Sequence, residues 1–277
     1  MPLLTLLGVD DSPYSRAART VALDMLARFP GSQLTALRVV NVVGPSGRFL
    51  KDLPGRLGFE PAVVSKEVEE EYDEKARRLL AEVKLAAEEK GLEVRTVLDH
   101  GAVVERICHH AERADLTLIG NKGRTESRFP GQGGNNVYNI LEAVSTPVVL
   151  VPEGAEDVTG VVLGFDGSNA AAHATKALRR LSEKIRFRVH VVYVDKGEGE
   201  PPGLFDRAKQ QLPNVPVTTH LVQAARVREG VVKVAEEVEA NLIAIGFRGN
   251  NRVKNFLFSS SADYLMTNKS FMVLVAH

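Results

Sequence analysis

The chain has 277 residues, 44% apolar and 25% charged, which is enough apolar mass for about two globular cores. Lys plus Arg and Asp plus Glu each number 35, so the net charge is zero and a general nucleic-acid or membrane-surface role is disfavoured. The single cysteine, Cys108, excludes an intrachain disulfide and a cysteine-based zinc site. No signal peptide or membrane span is legible, so the cytoplasm is the expected compartment.

From the amino end, Leu3–Val9 is a nearly continuous apolar run that ends in Asp10-Asp11-Ser12. A helical pattern over Ser15–Phe29 and a second apolar run, Leu34–Val43, follow. Gly44–Pro61 is a Gly/Pro-rich loop, and about Ser65 to Lys90 reads as a long helix stopped by Gly91. Its apolar stripe is Val68, Tyr72, Ala76, Leu79, Val83 and Ala86. Its acidic face reads as solvated rather than metal-binding, because Glu71–Lys75 and Glu74–Arg78 stand at the pairing distance of one helical turn. Val94–Leu98, a helix over Val103–Glu112, then Leu116–Ile119 and Val148–Val151 complete the first half. His109 and His110 lie on that helix as surface or packing residues, and Cys108 reads as an inert thiol.

The second half repeats the scheme. Its strands are Val161–Phe165, Val189–Val194, Val217–Val222, Leu242–Ile245 and Met272–Val275, with helices over Asn169–Ile185 and Glu229–Glu239. Apolar runs without alternation mark strands covered on both faces, as in parallel sheets. Strands alternating with helices imply right-handed crossovers and a doubly wound α/β fold.

Leu-Leu-Gly-Val-Asp-Asp-Ser, ending at Ser12, returns as Val-Leu-Gly-Phe-Asp-Gly-Ser, ending at Ser168. Leu-Ile-Gly-Asn-Lys-Gly, ending at Gly123, returns as Ala-Ile-Gly-Phe-Arg-Gly, ending at Gly249. Asp10–Asp166 and Ser12–Ser168 are both 156 residues apart, a domain-sized unit, so the chain is an internal duplication. Two α/β domains are expected, residues 1–152 and 158–277, joined by a short linker. Their final strands, Val148–Val151 and Met272–Val275, are apolar sheet edges that should cover one another.

Ligands of such sheets bind beyond the carboxyl ends of the strands, where the strand order reverses. There the first strands end in Asp10 and Asp166, each followed by a serine and a helix, a pattern that also serves as an N-cap. The fourth strands end in the pairs Gly120/Gly123 and Gly246/Gly249. After nine further residues come Gly133-Gly134 and Ser259-Ser260, each opening a helix whose backbone N–H groups could cradle an anion. Arg248, Arg252 and Lys254 line the second loop without an acid, and Lys122, Arg124 and Arg128 face only Glu126 in the first. Two locally basic loops in a neutral chain point to a phosphate-bearing ligand.

These motifs, closed by a Pro-Val-Val-Leu-Val-type strand, resemble the universal stress protein family in tandem form, over essentially the whole chain. The resemblance implies two five-stranded parallel-sheet domains of the adenine nucleotide alpha hydrolase-like type. It also implies ATP as ligand, with Mg²⁺ accompanying it and no separate metal site. Asp10 and Asp166 would then lie at the adenine and ribose end, and Val39 and Val194 would meet the base. Gly120, Gly123, Gly133, Gly246, Arg248, Gly249 and Ser260 would belong to the phosphate loops. Ser259 replaces a family glycine, and Gly134 replaces the hydroxyl residue, with Asn135 or Asn136 as the substitute donor. The second site is therefore the preferred one.

No Ser/His/Asp or Cys/His set is visible, and the glycine-rich loop of adenylate-forming PP-loop enzymes is absent after the first strand. The chain is read as a non-catalytic, nucleotide-dependent stress-response or signalling module. Two alternatives stay open: an interaction module that no longer holds nucleotide, and a slow ATP hydrolase. The expected partner is an adenine nucleotide, not nucleic acid or membrane. The duplication makes an intrachain pseudo-dimer and leaves homodimerisation of whole chains open.

Overall fold

The structure is a computed structural model that describes residues 2–41, 66–122, 136–197, 199–247 and 270–277. The first half runs β1 (Leu4–Gly8), α1 (Pro13–Ala27), β2 (Gln33–Val40), α2 (Lys66–Glu88) and β3 (Val94–His100). It continues through α3 (Val103–Ala111), β4 (Leu116–Gly120), α4 (Asn136–Ala143) and β5 (Val148–Val151). The second half runs β6 (Val161–Gly164), α5 (Asn169–Ser182), β7 (Val189–Asp195), α6 (Leu204–Gln211) and β8 (Val217–Gln223). α7 (Val227–Glu237), β9 (Leu242–Gly246) and β10 (Met272–Ala276) complete it.

All of these strands join one 10-stranded sheet in the order β3-β2-β1-β4-β5-β10-β9-β6-β7-β8. Every neighbouring pair is parallel except the central one. There β5 meets β10 antiparallel, with Leu150 opposite Val273 and Val148 opposite Val275. The expected junction of the two final strands is thus present, and each covers the other's edge. Because that pair is antiparallel, the carboxyl ends of β1–β4 and of β6–β9 point to opposite ends of the molecule.

The sheet is covered on both faces. α1, α2, α5 and α6 lie on one side, over a core that includes Leu7, Val21, Leu80, Leu163, Leu178 and Leu204. α3, α4 and α7 lie on the other, with Leu6, Ile107, Leu141, Val192 and Val234. Each core contains residues of both halves. Continuous apolar runs are what a strand sealed on both faces requires, and β4, β5 and β10 are buried at every position.

The edges differ from that expectation. β3 and β8 have no fully buried residue, because each pairs on one side only and lies at the margin of its helices. Among the described side chains of α2 the buried positions are Ala76, Leu80, Val83 and Ala87, while Tyr72 is 41% exposed; the expected stripe member Val68 lies outside them. The stripe is therefore rotated by part of a turn from the one expected at Leu79 and Ala86, which are only partly buried. Of the two expected ion pairs on α2, Glu74–Arg78 forms at 2.5 Å, whereas Lys75 leaves the helix surface to meet Asp11 at 3.1 Å. Gly91 stops the helix as expected: its φ is +68°, and Leu92 N–H reaches back to the Ala87 carbonyl at 2.9 Å. α6 has no counterpart in the sequence reading. Pro201-Pro202-Gly203 precedes it, and only Leu204 and Ala208 are buried, too few positions for a visible period.

Candidate functional site

In each half, the candidate residues that are described stand at the carboxyl ends of the first, second and fourth strands: Asp10, Val39 and Gly120, and Asp166, Val194 and Gly246. The last rung between β1 and β2 is Val9 N–H to the Leu37 carbonyl, at 2.8 Å. Beyond it β2 continues alone beside β3, with Val39 opposite Asp99. Backbone groups of a strand alternate sides with a period of two, so those of Val39 point where those of Leu37 point. There, however, β1 has already turned away. Arg38 fills part of the gap by donating from Nη1 to the Val9 carbonyl at 3.1 Å. In the second half the last rung is Phe165 N–H to the Val192 carbonyl, at 2.9 Å, and Val194 stands as Val39 does.

The side chains of Val39 and Val194 are buried in the core. A Cβ on Gly230 of α7 would stand 2.6 Å from Val194 Cγ2, so that glycine makes room for the valine. What the two valines offer to a ligand is therefore main chain, one donor and one acceptor on the crevice side. That is the pattern needed to read the edge of a heterocyclic base.

Asp10 and Asp166 form the lips. Asp10 Oδ1 accepts Ser12 N–H and Asp166 Oδ1 accepts Ser168 N–H, both at 2.9 Å. The serines then cap the helices: Ser12 Oγ accepts Ser15 N–H at 3.1 Å, and Ser168 Oγ accepts Ala171 N–H at 3.2 Å. The cap and the lip are separate jobs, done by serine and aspartate respectively. Asp10 is half-buried and Asp166 exposed.

Gly120 and Gly246 are fixed by packing. A Cβ on Gly120 would stand 2.6 Å from Tyr14 Cβ, and one on Gly246 would stand 1.6 Å from the Ala170 carbonyl oxygen. The first turns of α1 and α5 lie directly on these strand ends.

The surroundings of the two crevices differ. Around the first, Asp73 meets His100 Nε2 at 2.8 Å and Asp99 meets His110 Nε2 at 2.9 Å. Burial alone would raise the Asp99 carboxyl, but the His110 contact, the His100 N–H and the Arg106 charge together hold it below its usual value. Around the second, buried Asp195 ends β7 and accepts N–H from Gly197 at 2.8 Å and Gly199 at 2.9 Å. At the ends of β9 and β10, Phe247 packs on His277 with ring centroids 4.7 Å apart. Burial and the charge of His173 lower the His277 imidazole to about 4. Burial and Glu112 push the Cys108 thiol up, which keeps it protonated and unreactive.

Asp10, Val39 and Gly120 come together in the first crevice, and Asp166, Val194 and Gly246 in the second. Gly123, Gly133, Gly134 and Asn135, like Arg248, Gly249, Ser259 and Ser260, lie outside the described residues, as do Arg124, Arg128, Arg252 and Lys254. The sequence reading did not place Arg38, Asp11, Lys75, Asp195 or Arg207 in the site. Arg38 did carry a signal, as a cation inside the otherwise apolar run Leu37–Val40. A cavity of about 610 Å³ lies elsewhere, at the amino ends of β1–β3 between Lys84, Arg95 and Arg113. It lacks the open strand ends that a switch point provides, so the crevices are the better candidates. Among the described residues no group of three or more His, Cys, Asp or Glu is arranged to hold a metal ion. No described helix is long and apolar enough to cross a membrane.

The model of the universal stress protein family matches residues 5–152 and 197–277. A universal stress protein of Synechocystis sp. is 22% identical over 205 residues, which are 73% of this chain and 71% of that protein. The crystal structure of a universal stress protein from Archaeoglobus fulgidus superposes with a TM-score of 0.73 at 18% identity, covering 99% of this chain and 95% of the other. A putative universal stress protein from Pseudomonas aeruginosa does so with a TM-score of 0.55 at 11% identity, covering 99% and 92%.

Proposed function

We propose, from the premise that this chain belongs to the universal stress protein family, that it binds an adenine nucleotide in its crevices and signals by occupancy rather than turnover. The observation that carries this reading is the position of Val39 and Val194, whose main-chain groups face the gaps left where β1 and β6 end. A donor and an acceptor on one strand match the amino and ring-nitrogen edge of adenine. Asp10 and Asp166, held at the lips, are carboxylates suited to accept from a ribose diol. The basic stretches Lys122–Arg128 and Arg248–Lys254 supply charge for phosphates, and Mg²⁺ would accompany a triphosphate such as ATP. Binding can favour one conformational state only through differential affinity, so the physiological output is a partner's response to the loaded or empty form. The cytoplasm and a stress response are the setting this reading assigns.

The test is direct. Acid extracts of freshly purified protein should contain adenine nucleotide, and calorimetry should show ATP bound in clear preference to GTP. Equal affinity for ATP and GTP would remove the base-reading role of Val39 and Val194. Neither extracted nucleotide nor heat with ATP or adenosine would leave the interaction-module alternative, to which Gly134 and Ser259 belong. Phosphate release that persists through repurification and falls in Ser260→Ala would instead favour the slow hydrolase.

A further inference from the structure

The duplication supplies an internal control for charge at the two crevices. Ser12 corresponds to Ser168, so Asp11 corresponds to Gly167, and α2 and α6 both follow the second strand of their halves on the same face of the sheet. In each half, this helix delivers one cation to the turn after the first strand. In the first half Lys75 of α2 reaches Asp11, 3.1 Å away, and the two charges cancel. In the second half Arg207 of α6 arrives at the same place, but the turn presents a glycine. A Cβ on Gly167 would stand 3.3 Å from Arg207 Nη2 and 3.1 Å from Leu204 Cδ1. Gly167 has a φ of +76°, a conformation that a side chain rarely adopts. The guanidinium therefore lies against bare main chain one residue from Asp166. Arg207 is exposed, and among the described residues no carboxylate pairs with it.

We propose that Arg207 is an anion-reading residue of the second crevice, and that Asp11 silences its counterpart, Lys75, in the first. This rests on the nucleotide-binding reading of the crevices. It adds that the second crevice favours ligands carrying negative charge close to the ribose, while the first is nearly indifferent to that charge. A guanidinium is suited to the task because its fork can hold two phosphate oxygens at once, which an ammonium cannot.

Calorimetry on the full chain with AMP, ATP and adenosine tests it, using the wild type, Arg207→Ala, Arg207→Lys and Asp11→Asn. The wild type should show two classes of AMP and ATP site. Arg207→Ala should weaken the tighter class by about tenfold or more and leave adenosine unchanged, as expected for a lost charge-assisted contact. Arg207→Lys should recover part of the loss. Asp11→Asn should tighten the weaker class by releasing Lys75, so that the two classes converge. Thermal melts keep the result interpretable, since Arg207 is exposed and its variants should melt as the wild type does. If the wild type binds AMP and Arg207→Ala binds it equally well, or loses adenosine and AMP in proportion, the inference falls and the nucleotide reading stands. If the wild type binds no adenine ligand, both fall together.

Discussion

Gly120 and Gly246 end β4 and β9 directly beneath the first turns of α1 and α5. Nothing in their backbone angles demands glycine; what demands it is proximity, 2.6 Å to Tyr14 Cβ and 1.6 Å to the Ala170 carbonyl oxygen for an added Cβ. The obstacle at Gly246 is main chain, which cannot rotate aside, so α5 itself would have to move. Gly246→Ala should therefore cost about 3 kcal/mol or more in urea unfolding, above the usual range for overpacking. Gly120→Ala should cost about 1–3 kcal/mol. If Gly246→Ala unfolds at the wild-type midpoint, the close packing of α5 on β9 is wrong. The paired glycines were legible in the sequence as punctuation of a phosphate loop. The helix resting on the first member of each pair was not, because it is a contact between segments about 80–110 residues apart. Lost ligand binding in either variant would thus report displaced helices as well as any missing phosphate contact.

The elements that carry the crevices are held by their caps. Ser12 and Ser168 each close the first turn of a helix whose opposite face packs on the sheet, so fraying would also loosen the turns bearing Asp10 and Asp166. Ser168→Ala should cost about 1 kcal/mol, the common value for a lost N-cap. Ser12→Ala should lie nearer the upper end, about 2 kcal/mol. Ser12 is 2% exposed, and its partner Ser15 in turn accepts from Asp10 N–H at 2.8 Å. Thermal or urea unfolding of both variants checks the order; a larger loss at Ser168 would contradict it. Aspartate at either position keeps an acceptor and should restore most of the stability. Caps, strands and the long helix were readable because they depend on neighbours along the chain. α6 was not, since only two of its eight positions are buried. The edge strands were misjudged for a related reason: Val217–Val222 reads as apolar, but β8 has a neighbouring strand, β7, on one side only and lies at the margin of its helices, so none of its residues is fully buried.

At the scale of the whole molecule, the antiparallel β5–β10 pair turns two parallel half-sheets into one and sends the crevices to opposite ends. A single small ligand cannot bridge them, so any coupling between the sites must pass through the shared cores. The halves are also tied by charge. Arg28 of the first pairs with Asp157, and Lys184 of the second meets Asp115 of the first at 2.5 Å while donating to the Pro2 carbonyl at 2.9 Å. Sequence pattern located the apolar junction but not these pairs, because the partners are 129 and 69 residues apart along the chain and no local pattern joins them. Burial alone would raise the Asp115 carboxyl. The hydrogen bond from Lys184, the Leu4 N–H and the charges of Lys184 and Arg180 outweigh it and hold the group below its ordinary 3.8. A carboxyl whose pKa is lower in the folded state adds stability that is complete above the unfolded value and is lost as pH falls through the folded one. Asp115→Asn removes that contribution while leaving an acceptor for Leu4 N–H. Wild type should therefore melt above the variant from neutral pH down to about pH 5, and the gap should close as the pH drops below 3.8. A gap that stays constant to pH 3 would mean that the charge on Asp115 does not hold the halves together, and would leave the apolar strand pair as their main bond.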